Sequence, residues 1–158
     1  MLDSGFFSKI FCFSQTDFQT FFAHSLVMDI AIQFFIYGRT NLASILRCQQ
    51  ELGAHTDIIE FQPKKTSTFR WTHHGSRPMG FGIVDQCASC HHLKTLKPIV
   101  IEDDAQIVLK CSNCKNSTTY RLPSEWKWVD KPPLKGDERG AWVVRIDSHE
   151  GGVIMDTT

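Results

Sequence analysis

The stretch Cys87-Ala-Ser-Cys90, followed after 20 residues by Cys111-Ser-Asn-Cys114, carries the strongest structural signal in the sequence. Each Cys-x-x-Cys pair places two thiolates on one tight turn. Two such turns at this separation predict a tetrahedral metal site with four sulfur ligands. With all four positions filled by thiolates, no position is left open for water or substrate. We therefore predict one structural Zn²⁺ per chain, held by Cys87, Cys90, Cys111 and Cys114.

The insert between the two cysteine pairs has the pattern of a β-hairpin. Lys97-Pro-Ile-Val-Ile101 is a β-branched run, Glu102-Asp-Asp-Ala105 is a polar turn, and Gln106-Ile-Val-Leu-Lys110 leads directly into the second pair. A pair of short strands of this length brings the two cysteine turns together. The insert and the cysteine spacing thus support the same prediction.

The region around the cysteines resembles a zinc ribbon, a family of small β modules in which two cysteine turns clamp one structural zinc. The resemblance covers roughly residues 81 to 122 and rests on the four cysteines. Many zinc ribbons carry Gly directly after a cysteine turn, because a positive φ is easiest for Gly. His91 and Lys115 occupy these positions here. More loosely, the whole chain resembles proteins of mushroom-forming fungi, a likeness that implies no particular activity.

Three other uses of the cysteines compete with a structural zinc. A disulfide framework needs an oxidising compartment, and no secretory signal is expected because Lys9 interrupts the first apolar run. Cys87-Ala-Ser-Cys90-His91 fits the attachment motif of c-type haem, but Cys111 and Cys114 then have no role. Iron is also permitted, because a site of four sulfurs suits either metal. We expect zinc in an intracellular protein of the nucleus or the cytoplasm.

Length and charge limit the classes of protein to consider. The 158 residues suffice for one ordinary domain or two small ones, and 42% hydrophobic residues can form a packed core. The formal net charge is zero, which argues against a dedicated nucleic-acid-binding protein. The charge is unevenly distributed, however. Residues 61 to 101 hold six Lys and Arg residues and one acidic residue, Asp85, which leaves a local charge of +5.

This basic segment is the basis of an alternative function, contact with nucleic acid. The candidate residues are Lys64, Lys65, Arg70, Trp71, Arg77, Lys94 and Lys97, with His73 and His74 as further stacking or groove groups. Basic side chains would neutralise phosphates, and Trp71 would stack on an unpaired base. For such a face we expect the basic residues to lie together beside the metal hairpin.

The N-terminal third has a helical pattern. Residues 1 to 13 are expected to form a buried opening segment, and apolar residues then recur at helical spacing from 18 to 37. A second amphipathic helix is indicated from 42 to 52, ended by Gly53. Together they predict a helical hairpin. Asp29 would cost about 3 kcal/mol in a bilayer, so we expect a buried core helix and no membrane contact.

Phenylalanine is concentrated in this N-terminal part. Nine of the twelve phenylalanines precede residue 36, and so aromatic a two-helix unit cannot bury all of its own faces. We expect the aromatic helical face to be covered by the β region, by self-association or by a protein partner. A further interpretation makes the chain the C-terminal remnant of a larger enzyme.

Short β-type runs follow from residue 57, at 58–61, 66–71, 81–84, 117–120 and 142–146. The sequence thus predicts an α+β chain. Its predicted parts are an aromatic helical segment at 1–56, a zinc-ribbon β domain at 57–150 and a flexible tail at 151–158. No catalytic residues are predicted, and the leading function is a zinc-binding structural or interaction module.

Overall fold

The computed structural model describes residues 8–16, 20–82, 86–94, 96–103, 106–129 and 140–149, with only the backbone at 98–103. The chain is mixed α+β with antiparallel sheets. The strands are β1 Ile10–Phe13, β2 Ile58–Gln62, β3 Lys65–Thr72, β4 Leu96–Asp103, β5 Gln106–Cys111, β6 Ser117–Arg121, β7 Trp126–Trp128 and β8 Ala141–Ser148. The predicted tail at 151–158 lies outside the described residues.

A five-stranded sheet in the order β1-β2-β3-β8-β7 forms the larger layer. Alternate residues of its central strand, Ser67, Phe69 and Trp71, are buried. Phe69 lies between Ile58 of β2 and Val144 of β8. Because side chains alternate between the two faces of a strand, this register gathers the large apolar residues on one face. That face receives the helices.

One long helix and two short ones cover the sheet. The long helix is α1, Thr20–Ile30, which continues as a π-helical segment, Ala31–Ile36. The short helices are α2, Leu42–Leu46, and α3, Gln50–His55. The described residues therefore do not clearly show the predicted helical hairpin, because the second predicted helix is divided in two. None of their helices is long and apolar enough to cross a membrane.

Gln49 lies where the second predicted helix is interrupted. Its side chain is buried and donates hydrogen bonds to Asp29 Oδ2 at 2.7 Å and to Ser25 Oγ at 3.2 Å. These bonds tie the junction of α2 and α3 to α1. Gly53 does not end the helix as predicted but lies inside α3, where a Cβ atom would overlap the side chain of Trp71. Its role is close packing of the helix on the sheet.

The main core lies between these helices and the sheet. Leu26, Leu46 and Leu52 from the helices pack in one cluster with Ile58, Phe69, Trp71 and Trp142 from the sheet. Phe11 and Phe13 of β1 pack against the same cluster. Residues from both sides of the boundary predicted at position 56 therefore contribute to one core.

The second sheet is smaller and follows the order β4-β5-β6. Its buried residues Ile107 and Leu109 form a small core with Met79. Met79 belongs to the turn Pro78–Gly80, and Trp128 of the larger sheet also packs against this core. The predicted hairpin of the insert is confirmed as β4 and β5. Of the run predicted at 81–84, residues 81 and 82 are not in a strand and the rest lies outside the described residues.

Candidate metal centre

The three-stranded sheet brings the two cysteine pairs to one of its ends. Strand β5 finishes at Cys111, and the turn to β6 carries Cys114. Leu96, the first residue of β4, lies opposite Cys111. The other cysteine pair precedes β4 and is enclosed by a single bridge between Gln86 and Leu93. The pairing of β4 with β5 therefore places both cysteine turns side by side.

The four sulfur atoms form a compact cluster. Sγ of Cys87 lies 3.7 Å from Sγ of Cys114, and Sγ of Cys90 lies 3.7 Å from Sγ of Cys111. All four sulfurs lie within 4.8 Å of one another. A tetrahedral zinc site with Zn–S distances of about 2.3 Å has sulfur–sulfur edges of about 3.8 Å. The cluster therefore has the size that one zinc ion requires.

The same spacing argues against disulfide bonds. A disulfide holds its sulfurs about 2.05 Å apart, whereas these pairs are separated by 3.7 Å and all four cysteines are free. The donor set fits a single tetrahedral metal ion. Soft thiolate ligands alone are typical of zinc or iron sites.

Both cysteine turns use the same backbone geometry. In the first turn, the Cys87 carbonyl accepts a hydrogen bond from the His91 N–H at 2.8 Å, and the Cys87 N–H donates to the His92 carbonyl at 3.0 Å. The second turn repeats both bonds at the corresponding residues, at 3.0 and 2.8 Å. Two copies of one turn thus present two pairs of sulfurs to a common centre.

The residue after each cysteine pair has a left-handed backbone. His91 has a φ of 59° and Lys115 a φ of 66°. Gly adopts this conformation most easily, so both turns are formed here by residues whose side chains disfavour it. Backbone strain of this kind persists where the surrounding structure fixes it, as in ligand sites. Here the repeated hydrogen bonds of the turns hold both residues in place.

The surroundings of the sulfurs shift the pKa values of two cysteine thiols in opposite directions. A side-chain hydrogen bond from Asn113 and a backbone one from His92 lower the pKa of Cys90. At Cys114, the hydrogen bond from the Asn116 backbone favours the thiolate, but burial and the three neighbouring sulfurs outweigh it and raise the pKa to about 12. Four thiolates this close repel one another without a cation between them. A divalent ion would remove this penalty.

The residues that support the sulfurs were not among the predicted site residues. Asn113, His92 and Asn116 hydrogen-bond to the sulfurs of Cys90 and Cys114, as outer groups around metal ligands commonly do. Their adjacency to the cysteine pairs is the only sequence signal that could have identified them.

Two of the predicted nucleic-acid residues are engaged elsewhere. The Asp57 carboxylate, 7% exposed, lies 2.7 Å from the guanidinium of Arg70 and 2.7 Å from that of Arg77. Arg77 also donates to the Gly53 carbonyl at 2.7 Å, and Arg70 lies over the ring of Trp126. Both arginine side chains are therefore engaged in contacts within the fold.

The remaining candidates do not form the single face that was expected. Trp71 is 7% exposed and belongs to the main core, so it offers no free ring to a base. Lys64 and Lys65 lie at the opposite end of β3, about 20 Å from Trp71 at 3.3 Å per residue. Lys94 and Lys97 are exposed beside the cysteine turns. The structure thus separates the basic residues into distinct places.

No protein-family model, curated protein or solved structure matches this chain. The geometry of the four cysteines is consistent with a zinc-binding module and assigns no family.

Proposed function

We propose that this chain is a zinc-stabilised interaction module, in which Cys87, Cys90, Cys111 and Cys114 hold one Zn²⁺. The observation that carries the proposal is the pair of 3.7 Å sulfur–sulfur distances, which match the edges of a tetrahedral thiolate site. Free thiolates persist in reducing compartments, which agrees with the intracellular location expected from the sequence.

The small sheet gives the metal its structural role. Among the side chains that the structure describes, its buried apolar cluster is centred on Met79, Ile107 and Leu109. A three-stranded sheet of this size is marginally stable by itself. A structural zinc contributes on the order of 10 kcal/mol of apparent binding free energy, which exceeds the margin of a small domain. Zinc would therefore fix the position of β4, β5 and β6.

A site closed by four thiolates holds a fold and has no open position for a substrate. Catalysis at the metal is therefore not part of the proposal. Function is expected at the surface, through a protein partner or a second copy of the chain. Exposed aromatic residues on the long helix, Phe21 and Phe35, are the groups proposed to make that contact.

The test is metal analysis of purified, reduced protein together with the absorption spectrum of its cobalt-substituted form. We expect one zinc per chain and the spectrum of tetrahedral Co²⁺ bound by thiolates. Cys87→Ser and Cys111→Ser should lose the metal. The exposed residues Cys12 and Cys48 provide matched controls, because Cys12→Ser and Cys48→Ser should retain it. Iron in place of zinc would keep the site and change the metal, and no bound metal would refute the proposal.

Nucleic-acid binding stays a prediction with weaker support. The exposed basic residues that remain for it are Lys64, Lys94 and Lys97. A salt titration of oligonucleotide binding tests it. If Lys64 and Lys65 contact phosphates, Lys64→Glu with Lys65→Glu should flatten the slope of log affinity against log salt by about two. If the double substitution leaves oligonucleotide binding unchanged, these lysines do not contact phosphates, and the interaction module remains the proposed function.

A further inference from the structure

The long helix exposes an unusual amount of apolar surface. The helical stripe is defined here as the exposed apolar residues of this helix and its C-terminal end: Phe21, Val27, Met28, Phe35, Ile36 and Tyr37. Phe21 is 80% exposed and Phe35 is 86% exposed. The opposite side of the helix is accounted for, because Ala23 and Leu26 are buried and Phe22, Ile30 and Phe34 pack against the main core.

The stripe has the spacing of a helix-pairing seam. Phe21, Met28 and Phe35 are separated by seven residues, and His24 and Ala31 fall between them, so the spacing alternates between three and four. In the α-helical part this alternation places Phe21, His24 and Met28 on one line along the helix. In the π-helical segment that follows, Phe35 and Ile36 remain exposed. The α-helical part, Thr20–Ile30, is about 16 Å long at 1.5 Å per residue, and the π-helical segment Ala31–Ile36 lengthens it further. The seam runs along nearly its whole length.

The exposed area approaches what a stable dimer needs. Since a free aromatic side chain presents about 150–250 Å², the three aromatic residues of the stripe, which are 61–86% exposed, together expose roughly 450 Å² per chain. The largest apolar patch of a typical soluble monomer is about 300–600 Å². Two such stripes placed together would bury up to roughly 900 Å² from their aromatic rings, and contacts of Val27, Met28 and Ile36 would extend this area toward the range of about 1,200–2,000 Å² of specific interfaces.

The scarcity of charged residues on the long helix limits the kinds of partner that can bind to it. Residues 20 to 37 contain no Lys, Arg or Glu, and their single charged residue, Asp29, accepts a hydrogen bond from Gln49 on the core side. A helix that lies on a lipid surface carries basic residues on its polar face, which this helix lacks. A strongly charged protein partner would find no complementary charge. A second, identical apolar stripe needs neither basic residues nor a complementary charge on this helix.

We propose that the stripe pairs with the same stripe of a second copy of this chain, with the two long helices antiparallel and Met28 near the two-fold axis. This inference rests on the proposed interaction function and is independent of the metal. An isologous contact is self-complementary, so one stripe satisfies another. Antiparallel helices also place opposite ends of their dipoles together.

The antiparallel arrangement specifies which residues meet. With Met28 at the axis, Phe21 lies opposite Phe35 of the partner subunit. In a parallel pair, Phe21 would instead lie opposite Phe21 of the partner subunit.

Sedimentation velocity of the full chain between about 1 and 100 µM tests the assembly. The wild type is expected at twice the 18.0 kDa chain mass. Phe21→Glu with Phe35→Glu should shift it to the monomer and leave the circular dichroism spectrum unchanged, because both side chains are at least 80% exposed. Ile146→Glu is the matched control, since Ile146 is 54% exposed on β8 and should leave the dimer intact.

The orientation is tested by Phe21→Glu with Phe35→Lys in one chain. In the antiparallel pair, the carboxylate at position 21 faces the ammonium at position 35 of the partner subunit, so the dimer should return at low salt and weaken as salt increases. A monomer here would refute the antiparallel arrangement. A monomeric wild type at 100 µM, or a dimer that survives both Glu substitutions, would refute the proposal. Zinc content measured on the same samples separates this failure from a failure of the metal site.

Discussion

The carboxylate of Asp57 accepts a hydrogen bond from the guanidinium of Arg77 at 2.7 Å and thereby joins the start of β2 to the loop that leads to the metal centre. Arg77 directly precedes the turn Pro78–Gly80, and Met79 of that turn is buried in the core of the small sheet. The ion pair therefore helps to set how the two sheets meet.

The first prediction concerns the stability that this ion pair contributes. Asp57→Asn should lower the free energy of unfolding by about 3 kcal/mol, because it leaves two partly buried guanidinium groups without their counter-charge. Denaturant unfolding measures the change. Asp147→Asn is the control, because the Arg145–Asp147 pair is 3.1 Å long with both side chains at least 40% exposed. Its loss should cost less than about 1 kcal/mol, and equal costs for the two variants would contradict the argument.

The second prediction is that metal removal weakens the two sheets unequally. A chelator should increase the hydrogen exchange of amides in β5 and β6, which are held by the cysteine turns and a small core. Amides of β2 and β3 should keep most of their protection, because they belong to the larger core. Hydrogen exchange followed by mass spectrometry measures both regions in one sample. Uniform loss of protection would show that the metal supports the whole chain as one cooperative unit.

The third prediction uses the left-handed residues of the cysteine turns. His91→Gly and Lys115→Gly should each raise the free energy of unfolding, since both positions have a φ near 60°. The left-handed conformation costs a side-chain-bearing residue about 1–2 kcal/mol, and Gly costs about 0.5–1 kcal/mol in chain entropy. The expected gain is therefore roughly 0.5–1 kcal/mol.

Asn116→Gly is the control for these substitutions. Asn116 lies in the same turn, but its φ is not positive. The substitution should therefore cost roughly 0.5–1 kcal/mol in chain entropy without relieving any strain. Stabilisation by all three glycines would indicate a general effect of turn flexibility instead of backbone strain.

The fourth prediction is the pH dependence of metal binding. In the metal-free fold, the pKa of Cys114 is raised from 9.0 to about 12, so this thiol holds its proton at neutral pH. The proton stabilises the metal-free fold below pH 9, and that contribution is lost as the pH rises toward 12. Zinc requires the thiolate and must displace the proton, so zinc affinity should rise with pH, about tenfold per unit for each proton released.

Calorimetry of zinc binding in buffers of different ionisation enthalpy measures these protons directly. Cys12→Ser is the control, because it leaves the metal site intact and should release the same number of protons as the wild type. Zinc binding without proton release at neutral pH would contradict the high pKa of Cys114.

The metal cluster was predictable because its information is local. Each Cys-x-x-Cys pair forms its own turn, and the insert contains both strands that join the turns. Strands β2, β3, β6 and β8 also coincide with predicted runs, since their β-branched and aromatic residues are visible in the sequence. The exposure of Phe21 and Phe35 agrees with the surplus of aromatic residues noted there.

What the sequence could not reveal depends on distant partners. Strand β1 forms only against β2, where Cys12 lies opposite Ile59, and β7 has only three residues. The junction between α2 and α3 is tied to α1 by the contact between Gln49 and Asp29, which are 20 residues apart in the sequence. The local charge of +5 was counted over residues 61 to 101, a window that omits Asp57. A charge count over that window therefore misses the negative charge of Asp57, which lies directly before β2 and pairs with Arg70 and Arg77.

The repeated cysteine turns also have a consequence for the order in which the chain folds. Only residues 112–116 separate β5 from β6, so the second turn forms within a local hairpin, on the timescale of about 1–10 µs that hairpins require. The first turn must close over the 20-residue insert, which costs more loop entropy. A metal ion should therefore bind first to Cys111 and Cys114, and the first cysteine pair should then complete its coordination. Scarcity of free metal would stop folding at this half-coordinated stage, before β4 has joined the sheet.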